Sequence, residues 1–417
     1  MKGKHLLAAA VLAGVALSAS AQKKDFGYKF YGQVRTDLYY NTRSNSETVD
    51  GLFYMYPLDK KLDPQGNDLN DAANSNLYCL YSRLGMDVTG PKLGKAKTSA
   101  KIELDFRGSG STYSVCRLRH VYINFDWGQS SVLVGQTWNP LYGDVSPEIL
   151  NLNQGAPYQP FGRAPQLRYR FMKKHFMLTA TALWQSQYLS VGPKTNAAGE
   201  TATQKSIEFI KRNNIPEFYL GMDYKSLELT AGAGVHVGSI TPRTQSVYEG
   251  KTYKVSERVA GVSAEAHFKY RKNNLMLAGK TLLGTNLTQT CTVGGYGITS
   301  IDNVTGEQEY APLRTSSTWV NASYGKKWRP AVFFGYLKNL GATSEVLDGK
   351  VLGTGTTLDK LATATAEFTY NVPNWKLGVE YMYCNAWYGD EFNAKHKATS
   401  CHSVNNHRLV FTALFQF

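Results

Sequence analysis

No stretch of about 18 apolar residues occurs beyond the N-terminus of this 417-residue chain, so no segment qualifies as a membrane-spanning helix. Cysteine is scarce. The five, Cys79, Cys116, Cys291, Cys384 and Cys401, are too scattered for a disulfide framework. Cys384 and Cys401 flank the last long loop and could pair; unpaired small residues are the plainer account. Helical periodicity is also missing after residue 26, where apolar residues recur at every second position. That period belongs to strands with two unlike faces.

The first 21 residues read as a processing segment. Lys2 and Lys4 make a basic start, Leu6 to Leu17 is apolar, and Ala19-Ser20-Ala21 fits an A-x-A cleavage site. The apolar run is too short to span a membrane. Export of residues 22–417 is therefore expected, and they form one domain, with no linker or composition shift.

The formal net charge is +14, and the leader accounts for only two of the lysines. Aromatics make up 12% of the residues, with 27 tyrosines, yet mean hydropathy is mildly negative. A transmembrane β-barrel reconciles these values: an apolar lipid face, a polar lumen and loops, and aromatic girdles at both interfaces.

Residues 100–107 are the clearest strand. Ala100, Ile102, Leu104 and Phe106 share one face; Lys101, Glu103, Asp105 and Arg107 share the other. Four successive charges cannot enter a dry core without heavy cost. Residues 26–43, 77–89, 215–225, 227–238, 259–271, 361–371 and 375–384 repeat the pattern, placing Arg35 and Arg83 on polar faces. With 116–127, 131–138, 165–171, 176–187, 275–285, 317–324, 329–338 and 405–417, the chain reads as about sixteen strands. Connectors alternate between short turns and long loops, as on the two rims of such a barrel. Two strands fit poorly. Residues 116–127 send Arg117 and Arg119 outward when Val121, Ile123, Phe125 and Trp127 face lipid. Residues 329–338 choose no face cleanly.

One connector stands out. Between strands at 131–138 and 165–171 lies a Gly/Pro/Asn-rich segment, 139–164, bearing Asp144 and Glu148 and ending at Arg163. Structureless connections of this length are usually functional. If Leu167, Tyr169 and Phe171 face lipid, then Gln166, Arg168 and Arg170 face the lumen.

The chain ends Leu409, Phe411, Ala413, Phe415, Phe417, alternating to a terminal aromatic carboxylate. This last strand resembles the assembly signal of Gram-negative outer-membrane barrels. With the leader, the strand count and a long loop after the fifth strand, the chain resembles the trimeric general porins and their porin-like relatives. Residues 135–140 and 162–169 are similar to the segments framing that family's inward-folded loop. The resemblance implies a transmembrane antiparallel β-barrel in the outer membrane, homotrimeric, with the loop after strand five folded into the bore.

On that basis Arg163, Arg168 and Arg170 are the expected constriction wall, facing Asp144 and Glu148 on the loop. Two unit charges about 8 Å apart interact by about 2 kcal/mol at an effective dielectric near 20, so such a pair of walls would orient water and polar solutes. Arg35, Arg83, Lys101, Glu103, Asp105 and Arg107 are expected in the lumen, the arginines either lining it or pairing with acids across strands. Passive diffusion of small hydrophilic solutes with mild anion preference follows. An anion-, phosphate- or substrate-selective channel is the sharper alternative, weakened by luminal Glu103, Asp105, Glu217, Asp223 and Glu228. A barrel whose long loops bind partners is another. An enzyme barrel is not expected: His120, His236 and His267 accompany no nucleophile motif. No cofactor is expected either. Asp63, Asp68 and Asp71 offer oxygen ligands suited to Ca²⁺, without the spacing or closing Glu of an EF-hand. His396, Cys401, His402 and His407 match no standard zinc site. The positive charge is spread over alternating faces, not gathered for nucleic acid.

Overall fold

The computed structural model describes residues 26–48, 53–107, 115–195 and 201–417. The expected leader, 1–21, lies outside them. Sixteen antiparallel strands close into a barrel. They are β1 (Gly27–Asn41), β2 (Asn74–Tyr78, resuming as Arg83–Leu93), β3 (Ala96–Arg107), β4 (Val115–Asp126) and β5 (Ser130–Trp138). After the long loop come β6 (Arg163–Lys173), β7 (Phe176–Leu183), β8 (Glu217–Lys225), β9 (Leu229–Ile240), β10 (Val259–Lys272) and β11 (Leu275–Thr285). The last five are β12 (Gln308–Tyr324), β13 (Trp328–Ala342), β14 (Leu358–Val372), β15 (Trp375–Phe392) and β16 (Ala398–Gln416). Each predicted strand falls on one of these.

Closure joins β1 to β16, with Leu38 opposite Phe411 and Val34 opposite Phe415. The chain terminus seals the seam: Phe417 and Gly32 exchange backbone hydrogen bonds of 2.9 and 3.1 Å. Among the described residues the barrel sheet therefore has no free edge that would leave backbone groups unpaired in the bilayer.

Alternation separates the faces. On β8, Phe218, Leu220 and Met222 are exposed on the outside while Glu217 and Tyr219 are buried within. Aromatic rings gather near the short turns, where Trp375 lies 4.7 Å from Phe415 and Trp328 lies 4.5 Å from Tyr370. Rings of this kind mark the bilayer interface.

The alternation expected for 116–127 is broken by a β-bulge. The β3–β4 register shifts between Glu103, opposite His120, and Leu104, opposite Leu118, leaving Arg119 as the extra residue. A bulge resets which residues face which way. Leu118 therefore points out, 56% exposed, and Arg119 is buried. The expectation that Arg117 and Arg119 face outward is overturned: both turn inward onto Asp105, and Arg119 also onto Glu103.

The interior is not charged throughout. Inward faces of β11 to β16 carry Met276, Ala278, Trp319, Phe333, Leu337, Leu361, Met382 and Cys384. Two loops pack against them. One is the loop after β5. The other is a hairpin in the first long loop, Asn45–Thr48 paired with Phe53–Pro57, whose Phe53, Tyr54, Met55 and Tyr56 are all buried. Residues 329–338 choose no face because both faces are apolar: Val332 and Phe334 lie outside, Phe333 and Leu337 against the loops. The five cysteines are free, so Cys384 and Cys401 do not pair: Cys384 is buried inside opposite Asn406, and Cys401 is exposed opposite Gly389.

Candidate pore constriction

The loop after β5 leaves at Trp138 and returns at Arg163, residues paired across the two strands. Its neck is rigid. Asn139 donates its backbone N–H to the Gly162 carbonyl at 2.9 Å, and the Asn139 side-chain oxygen accepts from the Leu141 amide at 2.9 Å. The Trp138 indole stacks on the Tyr142 ring at 3.9 Å, and the Arg163 guanidinium lies 3.7 Å from the Trp138 ring. A cation desolvated over an indole face contributes about 2 kcal/mol. Gly143, at φ +65°, lets the chain turn down into the bore.

Wall residues from the far side of the barrel then capture the loop backbone. The buried Lys280 on β11 donates to the carbonyls of Leu141 at 2.7 Å and Tyr142 at 2.9 Å. Two buried carboxylates, Glu367 on β14 and Glu380 on β15, both accept from the Leu150 amide, at 2.7 and 2.8 Å; Glu380 also accepts from Asn151 at 3.0 Å. Trp319 donates its indole N–H to Gln159 at 2.9 Å, and Tyr158 shares a 2.7 Å hydrogen bond with Thr363. The Tyr158 ring sits so close to Gly335 on β13 that a Cβ there would stand 2.4 Å from it. Asn153 donates to the Tyr54 carbonyl at 2.9 Å, tying the loop to the inserted hairpin.

The two loop acids do not face the basic wall across open water, as the sequence reading expects. They touch it. Asp144 pairs with Arg170 at 3.2 Å and with Lys225. Glu148 pairs with Lys269 at 2.7 Å, Arg329 at 2.8 Å, and Arg271. Burial opposes ionisation of Asp144, but Arg170 and Lys225 outweigh it and hold the carboxyl well below its ordinary range. Glu148 is likewise held down, burial being outweighed by Lys269, Arg271 and Arg329. Five cations meet these two carboxylates, and with Glu367, 3.6 Å from Arg329, counted as well the cations still outnumber the acids in this group.

Of the expected wall, only Arg170 meets a loop acid. Arg163 is buried over Trp138, with Nη1 donating to Gln187 at 3.1 Å, and Arg168 donates to the Trp138 carbonyl at 2.6 Å. These two brace the loop's neck. Deeper along β1 to β4, Arg35 pairs with Asp37 at 2.8 Å, Lys101 with Asp87 at 2.7 Å, Arg117 with Asp105 at 2.7 Å and Arg119 with Glu103 at 2.6 Å. Arg83 lies opposite Asp105 in the β2–β3 register, yet makes no salt bridge among the described residues, and its Nε has no hydrogen-bond partner. Arg107 is exposed at the end of β3.

The loop acids named for Ca²⁺ have local partners. Asp63 accepts from the amides of Gln65 and Asn67, both at 2.8 Å, and Asp68 pairs with Arg43 at 2.7 Å. Asp71 donates its amide to the Asp68 carbonyl. Among the described residues no group of three His, Cys, Asp or Glu side chains is placed to hold a metal.

Sequence reasoning missed Lys280 and Arg329. Lys225, Lys269, Arg271, Glu367 and Glu380 were visible as inward polar residues, but not as partners of the loop. One signal was available for Lys280: a lone lysine on an otherwise apolar inward face needs an acceptor.

A model of the DcaP outer membrane protein family matches residues 15–183. No curated protein sequence matches the chain. Among solved structures, the outer membrane channel DcaP of Acinetobacter baumannii superimposes with a TM-score of 0.63 at 17% identity, covering 95% of this chain and 99% of that one. OmpT, an outer membrane protein of Vibrio cholerae solved in a trimer form, gives 0.54 at 12% identity, covering 94% and 100%. An anion-selective porin from Comamonas acidovorans gives 0.53 at 10% identity, covering 94% and 100%. At these identities the likeness is one of fold.

Proposed function

We propose that this chain is an outer-membrane porin through which small hydrophilic solutes diffuse passively, with a mild preference for anions. The observation that carries the reading is the charge balance inside a closed, lipid-compatible ring. Asp144 and Glu148 are each outnumbered by the cations they meet, Arg170 and Lys225 on one and Lys269, Arg271 and Arg329 on the other, and Arg83 makes no salt bridge among the described residues. Excess positive charge at a narrow passage lowers the barrier for anions relative to cations. The family match and the fold shared with known channels support the outer-membrane location. Homotrimeric assembly is part of the same proposal, supported by likeness to a barrel solved as a trimer.

Planar-bilayer recording tests it. Ohmic steps with an anion-biased reversal potential in a salt gradient are expected, and a silent bilayer defeats the reading. Arg168→Glu combined with Arg170→Glu should move the reversal potential toward cations.

A substrate-selective channel is the second reading, favoured by one observation. The apolar packing of both loops inside the barrel, against β11 to β16 above all, narrows the space left for passage. Conductance in the presence of polyethylene glycols of graded size separates the two: a general diffusion porin admits the smaller polymers, and a selective one excludes them all.

A further inference from the structure

The short-turn rim carries a charge asymmetry that transport does not require. Lys92 and Lys95 lie at the β2–β3 turn, Lys173 and Lys174 at β6–β7, and Lys326 and Lys327 at β12–β13, all exposed. Only two acids, Asp126 and Glu228, stand in or beside the short turns among the described residues. Asp126 accepts the Gly128 amide at 2.7 Å, and Glu228 pairs with Lys272 at 3.3 Å. The long-loop end, by contrast, mixes exposed Asp302, Asp348 and Asp390 and half-buried Asp59 and Asp63 with its lysines.

Two features say what such a rim would meet. The lysines sit on turns spread around the circumference, which fits a surface encircling the barrel better than a partner docked on one side. They also stand just beyond the aromatic girdle: Lys327 Nζ is 5.5 Å from the Tyr370 ring centre, and Trp328, beside Lys327, packs on the same ring. Interfacial aromatics lie at headgroup level, so cations one residue further out reach the lipid phosphates.

We propose that this lysine rim binds anionic phospholipid headgroups of the leaflet facing the short turns. The inference rests on the membrane-barrel reading above. Each lysine near an anionic surface favours it by about fivefold, and the attraction is screened by salt.

The test reconstitutes the full chain into phosphatidylcholine vesicles containing phosphatidylglycerol, with one or the other lipid brominated. Quenching of the girdle tryptophans Trp127, Trp328 and Trp375 reads which lipid is in contact. Phosphatidylglycerol should be preferred by at least about fivefold, with the preference lost at high salt. Replacing Lys92, Lys95, Lys173, Lys174, Lys326 and Lys327 with glutamine should abolish it. A control replacing Lys60, Lys61, Lys395 and Lys397 at the long-loop end should retain it. Equal quenching by both lipids in the natural chain, or an unchanged preference in the rim variant, overturns the proposal. So does a rim variant that alters only the reversal potential, because the lysines then serve solutes. Absence of quenching by either lipid defeats the membrane-barrel reading along with it.

Discussion

The Glu148 carboxylate accepts a 2.8 Å hydrogen bond from Arg329, tying the loop after β5 to β13, 181 residues further along the chain. Lys269 and Arg271 complete a three-cation grip on the same carboxylate. The loop therefore belongs electrostatically to the far wall as much as to its own strands.

Glu148→Gln removes the negative partner and leaves those cations facing the bore. The anion-to-cation permeability ratio should rise by about two- to fivefold, the effect of about 0.5 to 1 kcal/mol on relative barriers. Reversal potentials in a salt gradient measure it, and an unchanged ratio would place Glu148 outside the conduction path.

Acidification should loosen the loop late. The folded carboxyls of Asp144 and Glu148 lie below their unfolded values, which are about 3.9 and 4.3. Their pairing is thus fully present above that range and fades only as pH falls through the lowered folded values. The part of the single-channel conductance and noise that Asp144→Asn and Glu148→Gln alter should stay constant from about pH 7 to 5 and change only below about pH 4. A transition near neutral pH would point to a different titrating group.

Lys280→Met removes the donor to two buried loop carbonyls. The Leu141 carbonyl is orphaned at a cost of about 1 to 3 kcal/mol, while the Tyr142 carbonyl keeps the Gln159 side-chain amide at 2.9 Å, so the neck of the loop should loosen while the ring of strands persists. Open-channel noise should increase with little change in the barrel's resistance to heat in detergent gels.

Gly335→Val places side-chain atoms where the Tyr158 ring now lies. Valine suits a strand, so the barrel should form, but the loop must shift. Because Gln159 accepts from Trp319, the shift should appear as a change in tryptophan emission alongside raised conductance. Unchanged emission and conductance would mean that the loop is not seated against β13.

Much of the barrel was legible because a period of two survives wherever one face meets lipid and the other meets charge. It failed where a second apolar surface lies inside. Phe53-Tyr54-Met55-Tyr56 is apolar at every position and was absorbed into a long loop, although such a run needs burial on both sides. The bulge at Arg119 was hidden for another reason: counting alternate positions assumes that none is skipped. The outward arginines it produced were the clue, since charges in lipid are costly. The loop acids were visible, but their contacts were not. Lys225, Lys269 and Arg329 converge on them only after the sheet has curved round.

The anchors on β11, β13, β14 and β15 also bear on how the molecule is made. A segment lying between the fifth and sixth ribbons takes its firmest grips from ribbons at the other end of the chain. The bore is thus narrowed by both halves of the sequence together, and a chain cut short before residue 358 would lose both glutamates that grip Leu150.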